Sequence, residues 1–324
     1  MENHVLDVVT CGELLIDFVA METGTTLGQA SLFKKAPGGA PANVAVATAR
    51  LGHRAGFLGQ VGEDEFGHFL AETLQHNGVD IDGLRFSSQA RTALAFVSLL
   101  ADGERDFMFY RHPSADMLWH SEQVDQADIA RARIFHYGSI SLIHEPSRSA
   151  TLTALAYAKS NGALLSYDPN LRLPLWPSVD AARAGILNGW QHAEVIKVSE
   201  GELTFLSEQD TLEGAARSLW HPHLRLLVVT QGKAGCTYFT TETHGHVPGF
   251  AVLPRDTTGA GDGFVAGMLT GLLEGKLTWD KAVIEKALLL GNAVGALSTT
   301  EVGAISSLPT MAEVQSFLLA AQHR

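Results

Sequence analysis

Only two cysteines occur in 324 residues, Cys11 and Cys236, and neither belongs to a CxxC or other ligand-spaced pair. Both fall in apolar, strand-like runs, so reduced core thiols of an intracellular protein are expected rather than a disulfide framework. Basic residues are also scarce. Twenty-three Lys and Arg against 35 Asp and Glu leave a net charge of −12. That field repels phosphate backbones and anionic lipid, which argues against nucleic-acid and membrane-surface roles. No stretch approaches the roughly 18 uncharged apolar residues of a membrane span. The longest charge-free stretches, Ala36–Ala49 and Ala287–Thr300, carry Gly, Asn and Thr. The start, MENHVLDVVT, lacks the basic-then-apolar layout of a secretion signal, and no N-x-S/T sequon occurs. A soluble, cytoplasmic protein is therefore expected. Internal repeats, low-complexity tracts and Pro/Ser-rich linkers are missing too, so residues 1–324 read as a single domain.

What is present is an alternation of short apolar runs and helical patterns. Val5–Cys11, Ala55–Val61, Ile134–Tyr137, Leu164–Tyr167, Val195–Val198 and Leu226–Thr230 are mostly apolar, with apolar residues at consecutive positions in each, as in strands of a parallel sheet buried on both faces. Between them Ala40–Leu51, Glu65–His76, Pro146–Ser160, Val179–Trp190 and Leu212–Leu219 repeat apolar residues at helical spacing. This pattern predicts an α/β fold with a mostly parallel central sheet flanked by helices. Beyond Thr257 the chain reads as helical, with helices over Gly261–Glu274, Trp279–Leu297 and Met311–Gln322. Two segments break the rhythm. Thr92–Leu100 and Asp106–Tyr110 flank an Ala101–Glu104 turn and predict a hairpin, and Phe18–Lys35 is strand-like. Together, over about 18–35 and 92–112, they predict a small β-sheet lid whose apolar residues Leu94, Phe96, Phe107 and Phe109 need a partner.

Three stretches carry candidate chemistry. Asp256–Phe264 (DTTGAGDGF) runs directly into an apolar helix. Glycines at a helix start leave backbone N–H groups without intrahelical partners, at the positive end of the dipole, and such a place suits an anion. Asp262 would either cap that helix or accept a proton from a hydroxyl attacking the anion. The GxxxxGK[ST] loop is absent, and Gly259-Ala260-Gly261 lacks the third glycine of GxGxxG. Pro37–Asn43 (PGGAPAN) also opens a helix; Gly38 and Gly39 allow close backbone approach to a ligand, and Asn43 offers donors and an acceptor. Gly12–Asp17 follows the first strand, where open α/β sheets keep their sites, and Asp17 could bind polyol hydroxyls. Arg172 could clamp a phosphate or pair with Asp168. Arg111 could reach a ligand from the lid or remain a solvated charge. Lys197 is either a structural or a phosphate-facing cation. Among the 14 histidines, His221-Pro-His223 and His244-Gly-His246 have His-x-His spacing in loops but are not expected to form a metal site, and His144-Glu145-Pro146 does not continue as HExxH.

In order and spacing these stretches resemble the two signatures of the ribokinase-like (pfkB) family of carbohydrate kinases, Gly38–Asn43 matching the first and Asp256–Asp262 the second. The resemblance covers essentially the whole chain. Within the family it is most similar to plant-type fructokinases, through Thr92–Phe96, Phe107–Asp116, Ser166–Ser178 and Ile196–Ser199. It implies a ribokinase-like three-layer core and ATP-dependent phosphorylation of fructose to fructose 6-phosphate. Asp262 would be the general base, and the amides of Gly259, Ala260 and Gly261 would form the anion hole. Asp17, Gly38, Gly39 and Asn43 would hold the sugar. Thr230, Gly232 and Gly235 would line the nucleotide and Asn292 would lie beside the adenine. Mg²⁺ is implied, together with a monovalent cation such as K⁺ held around Asp256, Thr258, Ser298, Glu301, Gly303 and Ser307. The family's NxxE motif, which orders Mg²⁺ through water, reads Ser199-Glu200-Gly201-Glu202 here, so Glu202 keeps the charge while Ser199 replaces the amide. A homodimer through the lid is also implied. The alternatives are a related sugar or sugar-acid kinase, such as a 2-keto-3-deoxygluconate kinase or a ribokinase-type enzyme, and a non-catalytic fructokinase-like binding protein.

Overall fold

Runs that are apolar at consecutive positions become strands that feed two cores at once. A computed structural model describes residues 6–99 and 105–322. Its main sheet joins β1 (Leu6–Cys11), β4 (Ala55–Gly62), β5 (Val79–Asp80), β6 (Leu84–Ser87), β9 (Ala132–Gly138), β10 (Leu164–Asp168), β11 (Val195–Ser199), β12 (Leu226–Thr230), β13 (Gly235–Phe239) and β14 (His244–Pro248). The order is β14-β13-β12-β11-β10-β9-β1-β4-β5, with β6 also on β4; only the β12–β13 and β13–β14 pairings are antiparallel. Alternate residues divide between faces, as the period of two demands. Val8, Phe57, Ile134, Leu164, Val195 and Val228 enter one core with α1 (Ala40–Arg50), α2 (Glu65–His76), α8 (Ala260–Glu274), α9 (Lys281–Ser298) and α11 (Met311–Gln322). Val9, Leu58, Phe135, Leu165, Ile196 and Val229 enter the other, with α4 (Ser147–Ser160), α5 (Val179–Trp190), α6 (Glu200–Ser207) and α7 (Leu212–Leu219). The short helices α3 (Gln126–Ala130) and α10 (Ala304–Ser307) complete the chain. Cys11 and Cys236 are buried free thiols. No described helix is long and apolar enough to cross a membrane.

Helices α8 and α9 meet backbone to backbone. A Cβ on Gly271 would lie 2.4 Å from the Cα of Ala287, and one on Gly267 would lie 2.9 Å from the Cα of Gly291. Backbone cannot yield as a side-chain tip can. Gly271→Ala is therefore expected to destabilise the protein by about 1–3 kcal/mol, overpacking outweighing the ~1 kcal/mol helix-propensity gain. A lowered urea midpoint at unchanged slope would report it.

A separate four-stranded sheet, β3-β2-β7-β8, is built from β2 (Leu15–Ala20), β3 (Phe33–Gly38), β7 (Ala93–Leu99) and β8 (Arg105–Tyr110). The strand-like stretch expected over Phe18–Lys35 is in fact two strands. Residues 21–32 between them turn back on themselves, with the Glu22 carboxylate accepting from the Ser31 and Leu32 amides. β7 and β8 pair antiparallel, as a hairpin should, while Leu100 and the expected Ala101–Glu104 turn lie outside the described residues. Register splits the four apolar lid residues between faces. Leu94 and Phe96 oppose Tyr110 and Met108, whereas Phe109 and Phe107 oppose Ala95 and Val97, on the face that carries Asp17. Phe18 stacks on Phe96 with ring centroids 5.0 Å apart. The β13–β14 edge hairpin and α6 were not foreseen from sequence.

Candidate active site

Parallel strands place their carboxyl ends along one edge of the sheet, and the loops leaving β1, β10, β11 and β12 gather there. Helix α8 points its amino end at the same edge. Gly259 is its N-cap at φ +78°, with no side chain capping the first turn. The N–H groups of that turn have no acceptor within the helix, and Ala260 makes only a long 3.3 Å bond to the Thr257 carbonyl. Asp262 lies in this turn and does not cap it, which removes the N-cap alternative. Its carboxylate is buried and accepts from Asn43 Nδ2 at 2.7 Å. Asn43 sits in the first turn of α1, whose N-cap Gly39 is at φ +111°. Two helix starts thus meet across the Asn43–Asp262 bond. The other amide atom, Asn43 Oδ1, is buried without a partner among the described residues. Burial raises the Asp262 carboxyl above its ordinary range, against donation by Asn43 and the nearby charges of Lys197 and Arg172.

Lys197 stands below this helix start; a Cβ on Gly261 would lie 3.1 Å from Nζ. Nζ bonds Asp168 Oδ2 at 2.9 Å, with both groups buried. The pair forms because β10 and β11 are adjacent and parallel, so Asp168 at the end of one reaches Lys197 on the other. Burial pushes Asp168 up to about 6 even with Lys197 beside it, Glu202 and Asp262 adding to the rise. Burial disfavours the ammonium, but Asp168, Glu202 and Asp262 together hold its pKa above the usual lysine value. Arg172 therefore does not pair with Asp168. Its Nη1 donates to the Leu171 carbonyl, and its charge acts on Asp262. Ser199 and Glu202 form a capping box at the start of α6: Glu202 Oε2 accepts from the Ser199 amide (2.8 Å) and Oγ (2.7 Å), and Oε1 from the Leu171 amide (2.6 Å). Burial raises the Glu202 carboxyl, but Lys197 and these donors bring it below its ordinary range, so it stays ionised.

Asp17 on β2 and Gly38 on β3 are diagonal neighbours, Asp17 pairing with Ala36 and Gly38 with Leu15. A Cβ on Gly38 would fall 2.1 Å from Asp17 Oδ2, and one on Gly39 would fall 2.4 Å from the Glu13 carbonyl. Gly38→Ala must therefore displace the Asp17 carboxylate, and the KM of a polyol held there is expected to rise about tenfold or more, the cost of one lost charged hydrogen bond. Steady-state kinetics of that variant check it.

Arg111 departs from expectation. It is neither a solvated charge nor a free cation reaching into the cleft; its guanidinium is buried and paired with Asp116. The strand-end loop is shaped by Gly232 at φ +57° and Gly235 at φ +104°, and Thr230 Oγ1 donates to the Val198 carbonyl at 3.3 Å. Asn292, on α9, donates to the Val247 and Pro248 carbonyls at 3.1 Å each and so anchors β14. Around the second signature, Asp256 Oδ1 accepts from Thr258 N and Oγ1, and Oδ2 from the Gly303 amide at 2.9 Å. Ser298 and Ser307 donate to carbonyls of their own helices, and Glu301 is exposed. Residues 256–258 and 298–303 are thus brought together as one loop cluster, tied by the Asp256–Gly303 bond. Among the described residues no three His, Cys, Asp or Glu side chains are grouped to hold a metal. Sequence reasoning missed Glu13, which is buried, bonds the Ala40 amide at 3.0 Å and is pushed up to about 7, chiefly by burial. An acidic residue two positions past a mostly apolar buried strand was the available signal.

The family model described as pfkB family carbohydrate kinase matches residues 5–311. The chain is 55% identical over 313 residues to probable fructokinase-3 of Arabidopsis thaliana, covering 96% of this chain and 91% of that one. It resembles the crystal structure of a fructokinase with bound ATP from Xylella fastidiosa, with TM-score 0.89 and 36% identity over 97% of this chain and 99% of that one. A double mutant of the fructokinase from Vibrio cholerae O395, solved with fructose, ADP and a potassium ion, is similar at TM-score 0.85 and 36% identity, covering 97% and 99% of the two chains.

Proposed function

Because the chain belongs to the pfkB family of carbohydrate kinases, we propose that it transfers the γ-phosphoryl group of ATP to the 6-hydroxyl of D-fructose, giving fructose 6-phosphate and ADP. The observation that carries this reading is the buried Asp262 carboxylate at an uncapped helix start, fixed by Asn43 and set beside the Lys197 ammonium. Asp262 takes the proton of the sugar hydroxyl as its oxygen bonds to the γ-phosphorus and the bond to the β,γ-bridging oxygen breaks. The amides of Gly259, Ala260 and Gly261 and the Lys197 charge stabilise the transferring group, where phosphoryl transfer gains most from alignment and charge. Asp17, Gly38, Gly39 and Asn43 hold the sugar, and the unpartnered Asn43 Oδ1 is an acceptor waiting for a hydroxyl. Thr230, Gly232 and Gly235 line the nucleotide.

An ionised oxygen donor fits a hard cation, and Glu202 would reach Mg²⁺ through water. When bound, the ion would spread the charge of the β- and γ-phosphates. The cluster around Asp256 and Gly303 would hold K⁺, as the potassium-bound relative suggests. Closure of the small sheet over the sugar would exclude water that otherwise hydrolyses ATP. Its exposed Met108 and Tyr110 offer an apolar surface to a second copy of the chain.

A sugar-acid substrate would need a cation for its carboxylate; Arg111 is paired with Asp116, whereas among the described residues Arg172 bonds only a backbone carbonyl and could serve, so an activity assay decides between the two substrates. Coupled ADP release measured over fructose, ribose, 2-keto-3-deoxygluconate and adenosine tests the assignment. Fructose is expected to give the highest kcat/KM; a higher value with any of the others overturns it.

A further inference from the structure

The small sheet joins the core through four crossings: Gly12–Leu14 between β1 and β2, Gly38–Ala40 between β3 and α1, the segment just before β7, and the segment that follows β8. One buried polar cluster touches all four. Glu13 Oε1, in the first crossing, accepts from the Ala40 amide of the second at 3.0 Å. Arg111, in the fourth, favours the ionised form of Glu13 through its charge and pairs with Asp116, which Ser114 also bonds. The Ala115 amide donates to the Arg91 carbonyl of the third crossing at 2.8 Å, and Gln60 on β4 donates to the Ala115 carbonyl at 2.7 Å. Glu13, Arg111, Ser114 and Asp116 are all buried.

Two carboxyls and one guanidinium are a costly way to fill a core, since apolar residues of similar volume usually stabilise as well or better. Position accounts for their presence better than stability does. Ala40 follows the two glycines of the sugar loop and opens α1, the helix that carries Asn43. Arg111 follows the last strand of the small sheet. Its Nε is buried without a partner among the described residues.

We propose that Glu13 is a positioning residue of the sugar site: by holding the Ala40 amide from the crossing that enters β2, it couples the orientation of the 38–43 loop to that of the small sheet. The kinetic part of this inference rests on the reading that fructose binds at that loop. Glu13 touches no substrate and acts through Ala40 and Asn43.

The test pairs kinetics with amide hydrogen exchange on the intact, ligand-free protein. In Glu13→Ala the fructose KM is expected to rise about tenfold, with the ATP KM within about twofold of wild type, as the loss of one charged hydrogen bond at the sugar loop predicts. Glu13→Gln, whose amide oxygen still accepts from Ala40, is expected to restore most of the fructose KM. Exchange in Glu13→Ala should accelerate over 38–43 and 111–116 and stay unchanged in β9 and β10. An unchanged fructose KM together with unchanged exchange overturns the proposal, as does an equal rise in both KM values or a Gln variant as impaired as the Ala variant. If wild type shows no turnover with fructose, the substrate assignment falls, and the exchange result alone then decides for or against the coupling. Should Glu13→Ala not fold, Ala40→Pro removes the same N–H at a first-turn position that tolerates proline. A wild-type fructose KM and wild-type exchange over 111–116 in that variant overturn the proposal; a raised KM with faster exchange supports it.

Discussion

Replacing Asp262 by asparagine is expected to lower kcat by about 10²–10⁴-fold, the usual contribution of a general base, while the KM for fructose changes little. The substitution keeps the shape of the side chain and an oxygen that can accept from Asn43 Nδ2, so the sugar loop stays in place. What disappears is the group that receives the proton. Burial sets the carboxyl above the ordinary 3.8 of aspartate. Activity must therefore fall as the pH drops through that raised value, because the protonated acid cannot act as base. The residual activity of the Asn variant should lack this acid limb. A variant that keeps most of its turnover would remove Asp262 from the mechanism.

The second large effect concerns Lys197. Lys197→Met leaves Asp168 buried beside Glu202 with its counter-ion gone, and destabilisation of about 3–5 kcal/mol is expected from breaking a buried pair on one side. Turnover should fall as well, since the ammonium lies against the first turn of α8. The double variant Lys197→Met/Asp168→Asn separates the two roles. With the stranded charge removed, thermal stability should largely return, while kcat stays low. Recovery of kcat together with stability would show that Lys197 serves only as the partner of Asp168.

Much of the architecture could be read from the chain because buried parallel strands announce themselves. Val8-Val9, Ile134-Phe135, Val195-Ile196 and Val228-Val229 are apolar on both faces since helices cover both faces. The edge hairpin β13–β14 lacks that signal, its outer strand being HGHVP with alternating exposure. The two glycine-bearing helix starts were legible for a local reason: Gly39 and Gly259 cap their helices at positive φ, which glycine adopts without strain. The contacts between distant segments were not. Asn43 and Asp262 are 219 positions apart, and Lys197 finds Asp168 only because β10 and β11 are neighbours. Arg111 looked available because it follows an apparently exposed hairpin, and nothing local predicts that Asp116 folds back to bury it. Charge pairing across crossings is a property of topology, which spacing along one chain does not carry.

Catalysis by Asp262 requires the sugar hydroxyl to lie against its carboxylate, and the position of that hydroxyl is the deciding quantity. A crystal structure of the protein with fructose and a non-hydrolysable ATP analogue measures it directly. The 6-hydroxyl is predicted within about 2.6–3.2 Å of the Asp262 carboxylate, in line with the γ-phosphorus at the start of α8. Fructose bound with that hydroxyl turned to another group, or a γ-phosphate seated away from Gly259–Gly261, would contradict it.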